Sequence, residues 1–331
     1  MNPTRRNWRL CHMVLALAVL MGLAGCGLSP STSRVAAAGP GSITPIDGAE
    51  DVEVVVGSKN FTEQLILGKM AVLAARASGF RVTDMTNIPG SQPARRLLVA
   101  GETNLMWEYT GTAWLTYMGH ENGIPDQHEQ WQVVRDADEP NGLTWGQPGP
   151  MNNTYAFAAR SEYAREKGIT RLSDIASLPP EERTLCVESE FNSRNDGLVP
   201  LLQAYDIPKG EPDGVPRENI SLLDTGTIYT ATDQGSCNFG EVFTTDGRID
   251  ALDLTVLEDD RAFFPSYNIS PVFDTELLSR FPGLEDRFGL VNQELTDEEM
   301  RSLNYQVDVE GRDPAEVAHD WMVSKGLITR G

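Results

Sequence analysis

Residues 107–114 read WEYTGTAW. Two tryptophans flank Tyr109, and a Thr-Gly-Thr turn follows the tyrosine at once. A strand serving only a core would not break off to set a tyrosine ahead of a glycine and two threonines. The cluster reads as a surface made to hold something. Side chains that make and break bonds form no comparable pattern. The histidines, at 12, 120, 128 and 319, give neither HExxH nor another close ligand pair. No GxSxG elbow and no phosphate-binding loop occurs. Cys11 and Cys26 lie near the N-terminus, which leaves Cys186 and Cys237 with no CxxC or zinc-type spacing. The expected chemistry is reversible binding without a metal or cofactor, and the chain is not expected to be an enzyme.

The N-terminus carries an address. Arg5, Arg6 and Arg9 form a basic start, and VLALAVLMGLAG follows up to Cys26. This is the pattern of a secretory signal, too short to span a membrane comfortably. LAGC at 23–26 resembles the lipobox of bacterial lipoproteins. Residues 1–25 are then a signal peptide, and lipidated Cys26 anchors the protein to the outer face of the membrane. Residues 26–50, rich in Ser, Pro, Gly and Ala, read as a flexible tether, with the fold beginning near Asp51. An exported chain permits disulfides, so Cys186 and Cys237 are expected to pair. Their loop of about 50 residues would contribute about 4 kcal/mol in the chain-entropy account.

The chain has 27 basic and 48 acidic residues. Residues 1–25 hold three of the arginines and no acid, so the remainder stands at −24. A body this acidic is unsuited to nonspecific nucleic-acid binding, which needs basic patches.

Elements must position the aromatic cluster. VEVVV (52–56) suits a buried strand, and GSKNFTEQ turns from it into a helix. Asn60 and Glu63 stand at capping-box spacing, and Leu65, Ile66, Met70, Leu73 and Ala74 recur at helical spacing before Gly79. Strand and helix then alternate through FRVTDMTNIP, QPARRLLVA and TNLMWEYTG. A second alternating block runs from NNTYAFAAR to LDLTVLEDD, and the end is helical, with Asp313 and Pro314 at N-cap and N1. Two alternating blocks predict an α/β protein of two lobes, with ligands at the carboxyl ends of strands.

Several stretches in this order carry a family resemblance. They are VVVGSKNFTEQLILGKM (54–70), RRLLVAGETNLMWEYTGTAW (95–114), NNTYAFA (152–158), SRNDG (193–197), FTTDGRI (243–249), FFPSYNISP (263–271) and LNYQVDVEGRDPAEVAHDWMVSKGLI (303–328). Together they resemble the glycine betaine, choline and carnitine (osmoprotectant) ABC transporter substrate-binding lipoproteins, over residues 51–331. The resemblance implies a type II periplasmic-binding-protein fold, two α/β lobes joined by two crossing strands. Lobe I would comprise 51–155 and 260–331, and lobe II 156–259.

The resemblance also gives the aromatic cluster a ligand. A trimethylammonium group has no N–H to donate, so it is recognised by ring faces, each worth about 0.5–2 kcal/mol. The family pattern implies a cage of Tyr109, Tyr155, Tyr229 and Tyr267. It implies that Lys59, Thr112 and Arg194 hold the carboxylate at the ligand's other end. Asn60, Asn153 and Thr225 stand behind these, while Trp107, Trp114 and Tyr117 read as packing residues. The partners implied are a quaternary ammonium solute and the permease and ATPase subunits of an ABC importer, with a monomeric mature domain. The set leans towards betaine-like zwitterions, because choline would leave Lys59 and Arg194 without an anion. Cys237, in DQGSCNFGEVF, departs from the family pattern, so the inner wall of lobe II is where a difference is expected. The alternative is the same scaffold binding a different small polar or aromatic metabolite.

Overall fold

The computed structural model describes residues 37–331. The signal segment, Cys11 and the proposed lipid site Cys26 lie outside the described residues. No helix among those described is long and apolar enough to cross a membrane.

The strands are β1 (Ala38–Pro40), β2 (Glu53–Lys59), β3 (Arg81–Ile88), β4 (Leu105–Tyr109), β5 (Leu143–Trp145), β6 (Tyr155–Arg160), β7 (Leu185–Val187), β8 (Ile220–Leu222), β9 (Phe239–Phe243), β10 (Leu254–Val256), β11 (Ile269–Asp274) and β12 (Ile328–Arg330). They form two five-stranded sheets, ordered β3-β2-β4-β11-β5 and β10-β6-β9-β7-β8. In the first sheet β2 runs parallel to β3 and β4, and β11 lies antiparallel between β4 and β5. In the second, β7 runs parallel to β8 and β9, and β6 is antiparallel to β9 and β10. Each sheet with its helices is one lobe.

The chain leaves lobe I after β5 and returns to place β11 inside the first sheet. That return is what makes the topology type II. The two crossing segments meet in an antiparallel bridge between Asn152 and Asn268. Asn152 Oδ1 accepts the Tyr267 N–H at 2.7 Å, and Asn268 Nδ2 donates to the carbonyls of Gly149 and Met151. Side-chain amides thus satisfy backbone groups where the ladder is short.

The helix Thr62–Ala77 is the spine of lobe I. Its apolar residues are buried almost all round, because sheet I covers one side and the helix Pro314–Ser324 another. Asp313 caps that second helix, as its sequence predicts, accepting the Ala315 N–H at 2.8 Å. The start of Thr62–Ala77 differs from the capping-box expectation. Phe61 is the N-cap residue, with no side-chain cap bond. Asn60 instead accepts the Gly90 N–H, and Glu63 turns inward to the junction of the lobes.

The tether ends earlier than the composition suggests. β1 pairs antiparallel with β12, and Ile43 is buried in the lobe I core. Small residues there suit a strand edge as well as a tether, and only the partner strand distinguishes the two.

Lobe II packs Phe157, Phe191, Leu198, Leu202 and Phe239 around its sheet. Cys186 and Cys237 form the expected disulfide, with Cα atoms 5.7 Å apart. Both are buried with Ile228 against the helix Thr225–Asp233, and neither lines the cleft between the lobes. The unusual Cys237 therefore leaves the ligand-facing wall untouched.

Candidate binding cleft

A cleft of about 800 Å³ opens between the lobes. Its walls are the carboxyl ends of β2, β4 and β9, together with both crossing segments, which is where an α/β scaffold places ligands. Lys59 ends β2 and Tyr109 ends β4. Thr112 follows one turn on, Tyr155 opens β6, Arg194 follows the short helix Ser189–Ser193, and Tyr267 precedes β11. All six line the cleft.

The WEYTGTAW stretch divides its work. Trp107 is core, donating through Nε1 to Asn292 Oδ1 at 3.0 Å. Trp114 stacks on His120, and Tyr117 donates to Glu108 Oε1 at 2.9 Å. After Tyr109 the chain turns helical and widens into a π-helical turn over Ala113–Tyr117, an irregularity that recurs at functional sites. Gly111 is needed for close approach: a Cβ there would meet Tyr267 Cδ1 at 2.6 Å. The missing side chain lets one aromatic wall sit directly on the other.

Tyr229 is the correction. It is fully buried behind the β-sheet of lobe II, among Ala156, Ala158, Val242, Ile249 and Leu254. Arg248 lies 4.3 Å over its ring, and its hydroxyl accepts the Phe243 N–H at 3.0 Å. The ring facing the cleft from lobe II is Phe243, at the end of β9. Phe61 faces it from lobe I, stacked on Phe243 with centroids 5.4 Å apart. Tyr109 lies 6.2 Å from Phe61, Tyr155 lies 5.1 Å from Phe243, and Tyr155 and Tyr267 meet edge to face at 5.6 Å. The cleft wall is thus five rings, two of them phenylalanines that a search for tyrosines passes over. A signal was available, since Phe61 opens FTEQ with one residue between it and β2, and Phe243 opens FTTDGRI as the last residue of β9.

The hydroxyls are held by protein. Tyr109 donates to Glu63 Oε1 at 2.7 Å, and Tyr267 donates to Asp196 Oδ2 at 2.6 Å. Burial, then the nearby carboxylates, raise both phenols well above the ordinary tyrosine range, so they stay neutral donors.

The cations come already paired. Lys59 Nζ lies 2.8 Å from Glu108 Oε2 and 4.8 Å over the Tyr109 ring. Arg194 makes a two-pronged bond to Asp196, at 2.7 and 2.6 Å, and lies 5.2 Å over Tyr155. Each therefore brings directed N–H groups to the wall while its formal charge is balanced. Arg248 also lines the cleft, paired with Asp246 and 3.3 Å from Asp308 Oδ2.

Glu63 was missed as a site residue. Its carboxylate is buried and accepts from Tyr109 Oη, Asn153 Nδ2, Thr245 Oγ1 and Asn304 Nδ2, at 2.7, 2.9, 2.5 and 3.4 Å. Burial lifts its pKa above the usual carboxylate value, and the four donors pull against that lift. The arrangement as a whole is a polar-rimmed box of aromatic faces, suited to enclosing a compact cation and hydrogen-bonding an attached polar group.

Residues 52–324 match the model of the family described as the substrate binding domain of ABC-type glycine betaine transport systems. The chain belongs to this family. A glycine-betaine-binding protein of Pseudomonas aeruginosa is 34% identical over 284 residues, spanning 83% of this chain and 89% of that one. The ergothioneine transport permease and binding protein EgtU of Helicobacter pylori is 29% identical over 286 residues, spanning 86% of this chain and 50% of the longer relative. Among solved structures, a glycine betaine/carnitine/choline ABC transporter protein aligns with TM-score 0.66 at 26% identity, over 83% of this chain and 98% of that one. As a member of this family, the protein is an extracytoplasmic substrate-binding component of an ABC importer.

Proposed function

We propose that the cleft captures a small quaternary ammonium zwitterion of the glycine betaine class and presents it to the permease. The observation carrying this reading is the five-ring wall of Phe61, Tyr109, Tyr155, Phe243 and Tyr267, flanked by two balanced cations. A trimethylammonium group gains about 0.5–2 kcal/mol from each ring it touches. The ligand carboxylate is received by Lys59, Thr112 and Arg194. Because those cations are already balanced by Glu108 and Asp196, the carboxylate is recognised by N–H and O–H geometry rather than by net charge. Tyr109 and Lys59 belong to lobe I, and Phe243 and Arg194 to lobe II, so a bound ligand favours the closed form through contacts made from both sides. The chain works as a monomer tethered through lipidated Cys26, with separate permease and ATPase subunits.

A second reading has one observation behind it. The similarity to EgtU, with a cleft of about 800 Å³, leaves room for a bulkier metabolite on the same scaffold. Calorimetric titration of the purified protein with glycine betaine, carnitine, choline and ergothioneine separates the two. Saturable betaine binding, weakened about tenfold or more in Tyr109→Ala, supports the cage. A folded sample that takes up ergothioneine and no betaine favours the second reading.

A further inference from the structure

Five acidic residues line the cleft: Glu63, Glu188, Glu190, Asp224 and Asp246. Asp224 is exposed, and Glu188 and Glu190 are only partly buried and accept backbone N–H groups. Asp246 is buried but paired with Arg248. Glu63 alone among them is buried and has no ion-pair partner among the described residues. Its neighbours are all neutral donors, and they occupy both oxygens. Hydrogen bonds from neutral groups hold a carboxylate in place but do not cancel its charge, and a buried charge without a counter-ion is costly. The carboxylate sits directly behind the aromatic wall. It grips the hydroxyl of Tyr109 in lobe I and that of Thr245, two residues beyond Phe243, in lobe II.

We propose that Glu63 is the counter-charge of the ligand's quaternary ammonium and so sets the cleft's preference for a cation over a neutral group of the same shape. This rests on the reading of the cleft as a quaternary ammonium site. The ring faces supply shape and a modest cation–π attraction. Glu63 adds an attraction that needs no contact, because charges act through a water-poor wall over several ångströms. Its bond to Tyr109 Oη also draws electron density towards that ring, which strengthens the negative face met by the cation. Lys59, Arg194 and Arg248 are each matched by an acid, so Glu63 is the one buried acid lining the cleft that is left for a bound ammonium to balance.

The test compares ligands that differ only in charge. Choline is paired with 3,3-dimethylbutan-1-ol, and glycine betaine with 3,3-dimethylbutanoate, in which carbon replaces the charged nitrogen. Affinities are measured for the wild type, Glu63→Gln and Glu63→Asp, with folding checked by melting temperature. The wild type is expected to prefer each cation. Glu63→Gln should lower that preference at least about tenfold, and Glu63→Asp by less, because it keeps the charge but withdraws it. A purely structural role would weaken both members of a pair alike and leave the ratio unmoved. An unchanged ratio in Glu63→Gln overturns the proposal. Should that variant fail to fold, a wild type that binds each cation no more tightly than its carbon isostere does so. A folded wild type that binds none of the four ligands overturns instead the reading of the cleft on which the proposal rests.

Discussion

The exchange of Tyr229 for Phe243 as the lobe II ring makes a sharp prediction. Phe243 packs between Phe61, stacked at 5.4 Å, and Tyr155, tilted at 5.1 Å, so truncation to alanine removes one wall of the box and loosens two more rings. One ring is worth about 0.5–2 kcal/mol to a bound ammonium. With the loosened neighbours, about 1–2 kcal/mol is expected for Phe243→Ala, a loss of about five- to thirtyfold in betaine affinity. Phe243→Tyr keeps the face and should stay within about threefold of wild type. Tyr229→Phe touches no ligand. It deprives the Phe243 N–H of its acceptor, so the cost falls on stability, about 1–3 kcal/mol. Calorimetric titration and thermal melts on the same samples separate the two effects. A Tyr229→Phe variant that loses more affinity than Phe243→Ala, with an unchanged melting temperature, would refute the assignment and return Tyr229 to the cage.

Two further outcomes are open to simple tests. The disulfide closes a loop with a sequence separation of 51, so a Cys186→Ala/Cys237→Ala protein should lose about 4 kcal/mol of stability, on the order of 10 °C in melting temperature. Its betaine affinity should hold, because neither cysteine lines the cleft; a large affinity loss with little change in melting would contradict that placement. Burial pushes the Glu241 carboxyl up to about 8. A carboxyl raised above its unfolded value contributes stability that is full below about pH 4.5 and lost as pH rises through its folded value. The protein should therefore weaken between about pH 5 and 8, by a few kcal/mol at most, since each tenfold in proton affinity is worth about 1.4 kcal/mol. Glu241→Gln should flatten that slope, and an equal slope in wild type and variant counts against the assignment.

Much of this protein is determined by the sequence alone. Short apolar runs mark β2, β4 and β6, and helical spacing from Leu65 to Ala74 marks the spine of lobe I. Asp313 before Pro314 marks a helix start because the cap depends on adjacent residues only. Cys186 and Cys237 are the only cysteines after Cys26, so their pairing needed no geometry. Tyr109, Tyr155, Tyr267, Lys59 and Arg194 are named in advance only through the family resemblance of the motifs that carry them, and all five line the cleft.

Tertiary structure decided what depends on the far partner. Tyr229 sits inside the helix Thr225–Asp233, whose two faces look alike in composition, and only packing on the sheet turns that ring away from the cleft and presents Phe243. Residues 38–43 are folded because β12 arrives beside them from the other end of the chain. Glu63 has the spacing of a capping residue, and its sequence neighbours suggest nothing else. Its four donors come from positions 109, 153, 245 and 304, so the buried charge that faces the ligand exists only once both lobes are assembled. Local signals fix where the backbone turns, while charge balance in a closed cleft is a sum over distant segments that no short stretch contains.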